Sequence, residues 1–343
     1  MSANGNVRAG VIAGGNWIID HVKIVDSWPP QDSLANITSE TQGNGGGPYN
    51  VLKNLSKLGA TFPLEAIGLI GYDSNGALIV DDCRKHGIST SQLRKTHFAA
   101  TSYTDVITVR ETGRRTFFHQ RGANRLLGPE HFDFTRTKAR IFHLGYLLLL
   151  DELDRLENGR PRACEVLGRA RAAGMLTSLD CVSENSDRFQ AVVRPALPDV
   201  DILFANDTEA EKLTGIPLRK DGVIQFGEVE QAGLKLLAYG VRRYVVLHFP
   251  EAAYAVDPNG KGLWQASLEV PESEIKGLAG AGDAFASGVL YGQYFDWSMR
   301  DSLKLGASTA ASSLLDATCS GGVLNAMECM RLDERWKFRV APK

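Results

Sequence analysis

No stretch of the 343-residue chain is apolar enough to cross a bilayer: the richest, "IFHLGYLLLL", ends at Asp151, well short of the ~20 residues a spanning helix needs. The opening "MSANGNVRAGVIAGGNW" lacks a basic stretch followed by a long apolar one, so no signal peptide is expected, and the expected location is cytoplasmic. Charge of one sign is equally scarce. With 38 Lys and Arg against 40 Asp and Glu, the formal net charge is −2, so neither nucleic acid nor a membrane is expected as a partner. Five scattered cysteines (Cys83, Cys164, Cys181, Cys319, Cys329) form no C-x-x-C, and the seven histidines form no H-E-x-x-H. A zinc ribbon, a thioredoxin-like pair and a zincin helix are therefore excluded, and free thiols in a reducing compartment are expected. The P-loop signature G-x-x-x-x-G-K-S/T is also missing, and "GAGDAF" lacks the third glycine of a dinucleotide fingerprint.

The composition is that of a chain able to bury a sizeable core: 43% hydrophobic and 23% charged residues. Short apolar runs alternate with helical periodicity along it. "VRAGVIAGG" (Val7–Gly15) reads as a buried first strand, and "PYNVLKNLSKLGA" as a helix with Val51, Leu52, Leu55 and Leu58 on one face. Further strand–helix pairs follow in "PLEAIGLIG" and "NGALIVDDCRKHGI", then, after Arg140, in "IFHLGYL" and "PRACEVLGRARAAG", "ILFAND" and "TEAEKLTG". Such alternation predicts a mostly parallel sheet covered by helices on both faces. The segment Thr101–Gly122 differs: β-branched and aromatic residues around "ETGRR" predict an antiparallel hairpin, which with "IIDHVKIVDSWP" forms a small separate sheet.

Chemistry is suggested by two glycine-rich junctions, "GNGGG" (Gly43–Gly47) and "KGLAGAGDAFASGVLYG" (Lys276–Gly292). A helix interior avoids glycine, which costs about 1 kcal/mol relative to alanine. At a helix mouth, glycines instead let backbone approach a ligand and expose several N–H donors beside the positive end of the helix dipole. Gly280, Ala281 and Gly282 stand at such a mouth, with Asp283 in the first turn. Amides that hold phosphate oxygens beside a carboxylate that accepts a hydroxyl proton fit phosphoryl transfer; an N-capping role is the structural alternative for that aspartate.

Taken together, "GGGPYNVLKNLSKLGA", "NDTEAEKLTG" and "GAGDAFASG", in that order, resemble the signatures of the ribokinase-like (PfkB) carbohydrate kinases. The resemblance runs from the first strand to about Gly322. It implies one ribokinase-like three-layer α/β/α domain over residues 1–343, with a mostly parallel central sheet and a small β-sheet lid at approximately 17–42 and 98–122. It further implies an ATP-dependent sugar kinase with Asp283 as general base and Gly280, Ala281 and Gly282 as the anion hole. By the same comparison Asn206 and Glu209 organise Mg²⁺, Asn206 and Ala307 border the nucleotide, and Asp20, Gly46, Asn50 and Arg121 meet the substrate, a small sugar or sugar derivative.

Some positions depart from the family pattern. Gly277, Leu278 and Ala279 stand where Asp-Thr-Thr is usual, which puts potassium activation in question. "HFPEAAYAV" (His248–Val256) replaces the usual Thr-Leu-Gly turn, and "DCVS" at Asp180 lacks the asparagine often found two residues on. Two alternatives stay open: a sugar-binding regulatory protein derived from a kinase, and a nucleoside kinase of the same fold, for which Tyr103, Phe117 and His119 are candidate base shelves. Exposed strand edges in the lid suggest a homodimer through paired lids.

Overall fold

The computed structural model describes residues 8–184, 186–340 and 342. Val7 of the first expected strand lies outside them. The strands are β1 (Val11–Gly15), β2 (Ile18–Val25), β3 (Ile37–Gly45), β4 (Leu64–Gly71), β5 (Ile88–Thr96), β6 (Ser102–Val109), β7 (Arg115–Gln120), β8 (Ile141–Leu147), β9 (Leu176–Cys181), β10 (Ile202–Asn206), β11 (Tyr244–His248), β12 (Ala252–Val256) and β13 (Gly262–Ala266). The principal helices are α1 (Gly47–Lys57), α2 (Ser74–Lys85), α3 (Ala163–Ala172), α4 (Asp207–Thr214), α5 (Phe226–Ala238), α6 (Ala281–Tyr294), α7 (Met299–Ser313) and α8 (Ala326–Met330).

Nine strands form the main sheet in the order β13-β12-β11-β10-β9-β8-β1-β4-β5, all running the same way except β12, which pairs antiparallel with both β11 and β13. The near-continuous apolar runs seen in the sequence follow from this, because each inner strand is covered on both faces. Successive residues then enter opposite cores. Ile12, Leu203 and Ala205 pack with α3, α4 and α5, whereas Val11, Ala13, Ile202 and Phe204 pack with α1, α2, α6 and α7. The result is the three-layer α/β/α arrangement expected.

A second, four-stranded sheet has the order β3-β2-β6-β7, with β2 and β6 parallel and both outer pairs antiparallel. Strand β3, "ITSETQGNG", had no strand signal. Its first residues are exposed on both faces, so no apolar alternation marks it. Helix α7 was equally silent, because beyond Met299, Leu303 and Leu305 its buried residues are small or carry hydroxyls, such as Gly306, Ala307 and Ser308.

That small-residue face lets α6 and α7 pack closely. A Cβ placed on Gly288 of α6 would lie 2.7 Å from the Gly306 Cα of α7. Gly288→Val is therefore expected to destabilise the protein by about 1–3 kcal/mol through overpacking. Urea unfolding checks this; an unchanged midpoint would refute the close crossing.

Candidate active site

The chain runs outward from β1 to β4 and β5, then returns to the other side of β1 with β8. Neighbouring loops therefore diverge at the β1/β8 boundary and leave a crevice outside the carboxyl ends of the strands. Asp20, Tyr146, Asp180, Asn206 and His248 all lie at or just beyond these ends, and the mouth of α6 closes over them.

Gly280 caps α6 in the left-handed region (φ 77°), where an ordinary side chain would be strained. No side chain caps this helix, so its opening amides remain available to an anion. Asp283 lies one turn inside, 4% exposed. It does not cap the helix. Instead its carboxylate faces α1 and β8: Asn50 Nδ2 donates to Oδ2 at 2.7 Å, and the Tyr146 hydroxyl donates at 2.7 Å. Burial pushes its pKa up to about 6, against the lowering effect of those two donors. Asn50 is itself held, since Asn44 Nδ2 donates both to Asn50 Oδ1 (2.7 Å) and to Ser320 Oγ (2.9 Å).

Asp20 stands on β2 beside this group. Burial pushes it up to about 7, opposed by hydrogen bonds from Cys319 and Thr104, while the negative Asp283 adds to the rise. The Cys319 thiol reaches its Oδ2 at 3.7 Å. Gly46 caps α1 with φ 85°, and a Cβ there would meet Asn16 O at 2.2 Å, so the backbone entering α1 can be held this tightly only by glycine.

Asn206 and Glu209 form a reciprocal capping box at the start of α4: Glu209 N donates to Asn206 Oδ1 and Asn206 N to Glu209 Oε2, both at 2.9 Å. The Glu209 carboxylate also accepts from Ser183 Oγ at 2.7 Å. Its pKa is raised by burial. Asp180, at the end of β9, is raised by burial and then by the charges of Glu209 and Asp283. Asp180, Glu209 and Asp283 thus crowd negative charge into one buried region, and no ion pair with any of them forms among the described residues. Nor do three His, Cys, Asp or Glu side chains among those residues converge into a closed metal cage.

Beside the α6 mouth lies a cavity of about 450 Å³. Asn206, Ala281 and Gly282 form its polar end, and Phe285, Ala307 and Leu268 line its apolar part. Ala307, Asn206, Ala281 and Gly282 are therefore brought to one cavity, which Asp20, Gly46 and Asn50 do not line; Asn50 bonds to Asp283 instead. Arg121 does not line that cavity, and no hydrogen bond joins it to Asp20, Gly46, Asn50 or Asp283 among the described residues. Its guanidinium pairs with Asp151 and lies 3.9 Å from Glu184. Sequence reasoning missed Tyr146, Asn44, Ser320 and the role of Asp180. Only Asp180 had a signal, an acid closing an apolar run; a tyrosine inside "IFHLGYL" looks like any core residue.

A doubly covered α/β sheet with a helix-mouth glycine loop, a buried acid beside it and an apolar cavity behind defines a carbohydrate kinase of ribokinase fold. The chain belongs to the pfkB carbohydrate kinase family, whose model matches residues 9–324. It is 28% identical over 283 residues to the ATP-dependent ribose-1-phosphate kinase of Halopiger xanaduensis, spanning 82% of this chain and 83% of that protein. It is 30% identical over 294 residues to the probable fructokinase-7 of Arabidopsis thaliana, spanning 82% and 77%. The fold matches that of an Arabidopsis thaliana ribokinase complexed with ribose and ATP, with a TM-score of 0.75 at 18% identity over 95% of this chain and 98% of that one.

The Asn50 amide stabilises the charged form of Asp283. Asn50→Ala should therefore raise the Asp283 pKa above about 6. Carboxyl-carbon NMR titration reads the value directly; a pKa that stays put or falls would refute the bond.

Proposed function

We propose that this protein is an ATP-dependent sugar kinase in which Asp283 is the general base and the Gly280–Gly282 backbone is the anion hole. The observation that carries the reading is the setting of Asp283: a buried carboxylate, fixed by Asn50 and Tyr146, between the cavity at the α6 mouth and the Asp20–Asn50 group. A sugar hydroxyl bound by Asp20, Asn50 and the Gly46 backbone gives its proton to Asp283 as its oxygen bonds to the γ-phosphorus. The bond to the bridging oxygen breaks, and ADP leaves with the electron pair. Amides at the α6 mouth meet the charge on the transferring phosphoryl oxygens, where preorganised donors are most effective. The small sheet, approximately 17–42 and 98–122, serves as the lid that excludes water.

ATP occupies the apolar cavity, with Ala307 against the base and Asn206 near the phosphates. Uncompensated charge on Asp180, Glu209 and Asp283 suits a divalent cation, and a sparse donor set suits Mg²⁺, which retains much of its water shell. Asn206 and Glu209 would hold its waters, and Mg²⁺ when bound supplies charge neutralisation on the phosphates. Large apolar side chains exposed on the small sheet, Ile37, Phe117 and Phe118 among them, support a homodimer through this sheet.

One observation favours a nucleoside as the acceptor. Strand register puts Asp20, Thr104 and His119 side by side, so Phe117, 59% exposed, shares their face and offers a shelf for a base. A panel of pentoses, hexoses, keto-acids and nucleosides assayed for ADP release decides between the two. Sugar binding with neither nucleotide binding nor ADP release would point instead to a regulatory sugar-binding protein.

Asp283→Asn is expected to lower turnover by about 10²–10⁴-fold while calorimetry shows sugar affinity retained. Unchanged turnover would refute the base. The ionised carboxylates are the working forms, so their fraction grows as pH rises through the raised values. With Asp283 at about 6 and Asp20 at about 7, kcat/KM should climb across that window and level off above it. A profile flat from pH 5 to 8 would contradict this.

A further inference from the structure

The loop at residues 316–322 meets the anion-hole turn and Asp20 directly, and Asp283 through Asn44 and Asn50. Its Cys319 backs onto the anion-hole turn so closely that a Cβ on Gly280 would lie 2.6 Å from the Cys319 Cβ. The same thiol reaches Asp20. Ser320 Oγ accepts from Asn44, which fixes Asn50 and, through it, Asp283. A loop with these contacts sets the position of the base, the sugar-binding acid and the anion hole together.

One cation fastens it. Lys57, in the last turn of α1, donates from Nζ to Ser320 O at 2.8 Å and to Gly321 O at 2.6 Å. Both acceptors are backbone carbonyls, which a fixed ammonium binds through charge-assisted hydrogen bonds of roughly twice ordinary strength. Asp316, whose own Oδ1 accepts from Thr318 N at 2.9 Å, is close enough to act electrostatically on Lys57 and completes the turn. The remaining lysine of α1, Lys53, is paired with Asp82 and faces α2 instead.

The monovalent-cation arrangement that family resemblance implies does not fit this chain. Gly277 stands where its aspartate would be, and a Cβ there would lie 2.8 Å from Asp316 O and 3.0 Å from Ala317 Cα. No side chain can be added at that point without moving the loop backbone. The loop is packed directly on residue 277, and the positive charge on it comes from within the chain.

We propose that Lys57 is a positioning residue whose ammonium clamps the 316–322 loop against the anion hole, so that phosphoryl transfer requires no potassium. This rests on the kinase reading, since it assigns the loop to that reaction. Misplacing a reacting group by about 1 Å can cost on the order of 100-fold in rate. Lys57→Met should therefore lower kcat by ten- to a hundredfold, with a smaller change in the KM for sugar. Added ammonium or potassium should restore part of the loss, and Lys57→Arg should retain most of the wild-type rate. Wild-type turnover should be indifferent to potassium.

A second measurement does not depend on turnover. The rate at which iodoacetamide modifies Cys319, located by peptide mass mapping, should rise at least severalfold in Lys57→Met over wild type, while Cys83 and Cys329 label equally in both. Equal Cys319 labelling, unchanged kcat, or severalfold activation of the wild type by potassium would each overturn the lysine clamp. A wild-type protein inactive on every acceptor would instead sink the kinase reading, and the labelling comparison would still decide the clamp.

Discussion

Unbalanced negative charge, held out of water, is the constraint around which this molecule is organised. Asp180, Glu209 and Asp283 lie within electrostatic reach of one another in a buried crevice, with Asp20 close to Asp283, and none of the described residues forms an ion pair with them. Desolvation raises all four pKa values, repulsion adds to it at Asp20, Asp180 and Glu209, and a fold tolerates such a cluster only when the rest of the structure over-determines it. Much of the architecture does so. The crevice exists because β1 and β8 send their loops in opposite directions, and each acid is tied by specific donors: Asn50 and Tyr146 on Asp283, Ser183 and Asn206 on Glu209, Thr104 and Cys319 on Asp20. The opening amides of α6 and a cation beside Glu209 would relieve the strain only when nucleotide arrives.

Most of the main sheet was legible because inner strands covered on both faces must be apolar throughout, and the turns between them are punctuated by glycine. The glycine loops and Asp283 were legible for the complementary reason, that glycine beside an acid at a helix start has little structural purpose. Strand β3 and helix α7 were hidden. An edge strand exposed on both faces carries no alternation, and a helix packed against glycines needs only small residues. The polar partners of Asp283 were hidden differently: Tyr146 and Asn44 act through bonds to residues far away in sequence, which no local pattern encodes. Asn206 and Glu209, expected from the sequence to organise a metal, also form a reciprocal cap that holds Glu209 in the crevice, a local pattern the sequence does carry.

Arg121, expected to meet the substrate, is paired within the chain with Asp151, a partner that its residue type did not announce. Lys57 shows the reverse. A basic residue in the last turn of a helix looks like ordinary complementarity to the helix dipole, and only the placement of Ser320 and Gly321 gives it a more particular duty.

Asn44 belongs to the small sheet, yet its side-chain amide is the support on which Asn50 rests. That linkage of two amides ends on an Asp283 oxygen, so the small sheet and the buried acid cannot be displaced from one another without breaking a hydrogen bond.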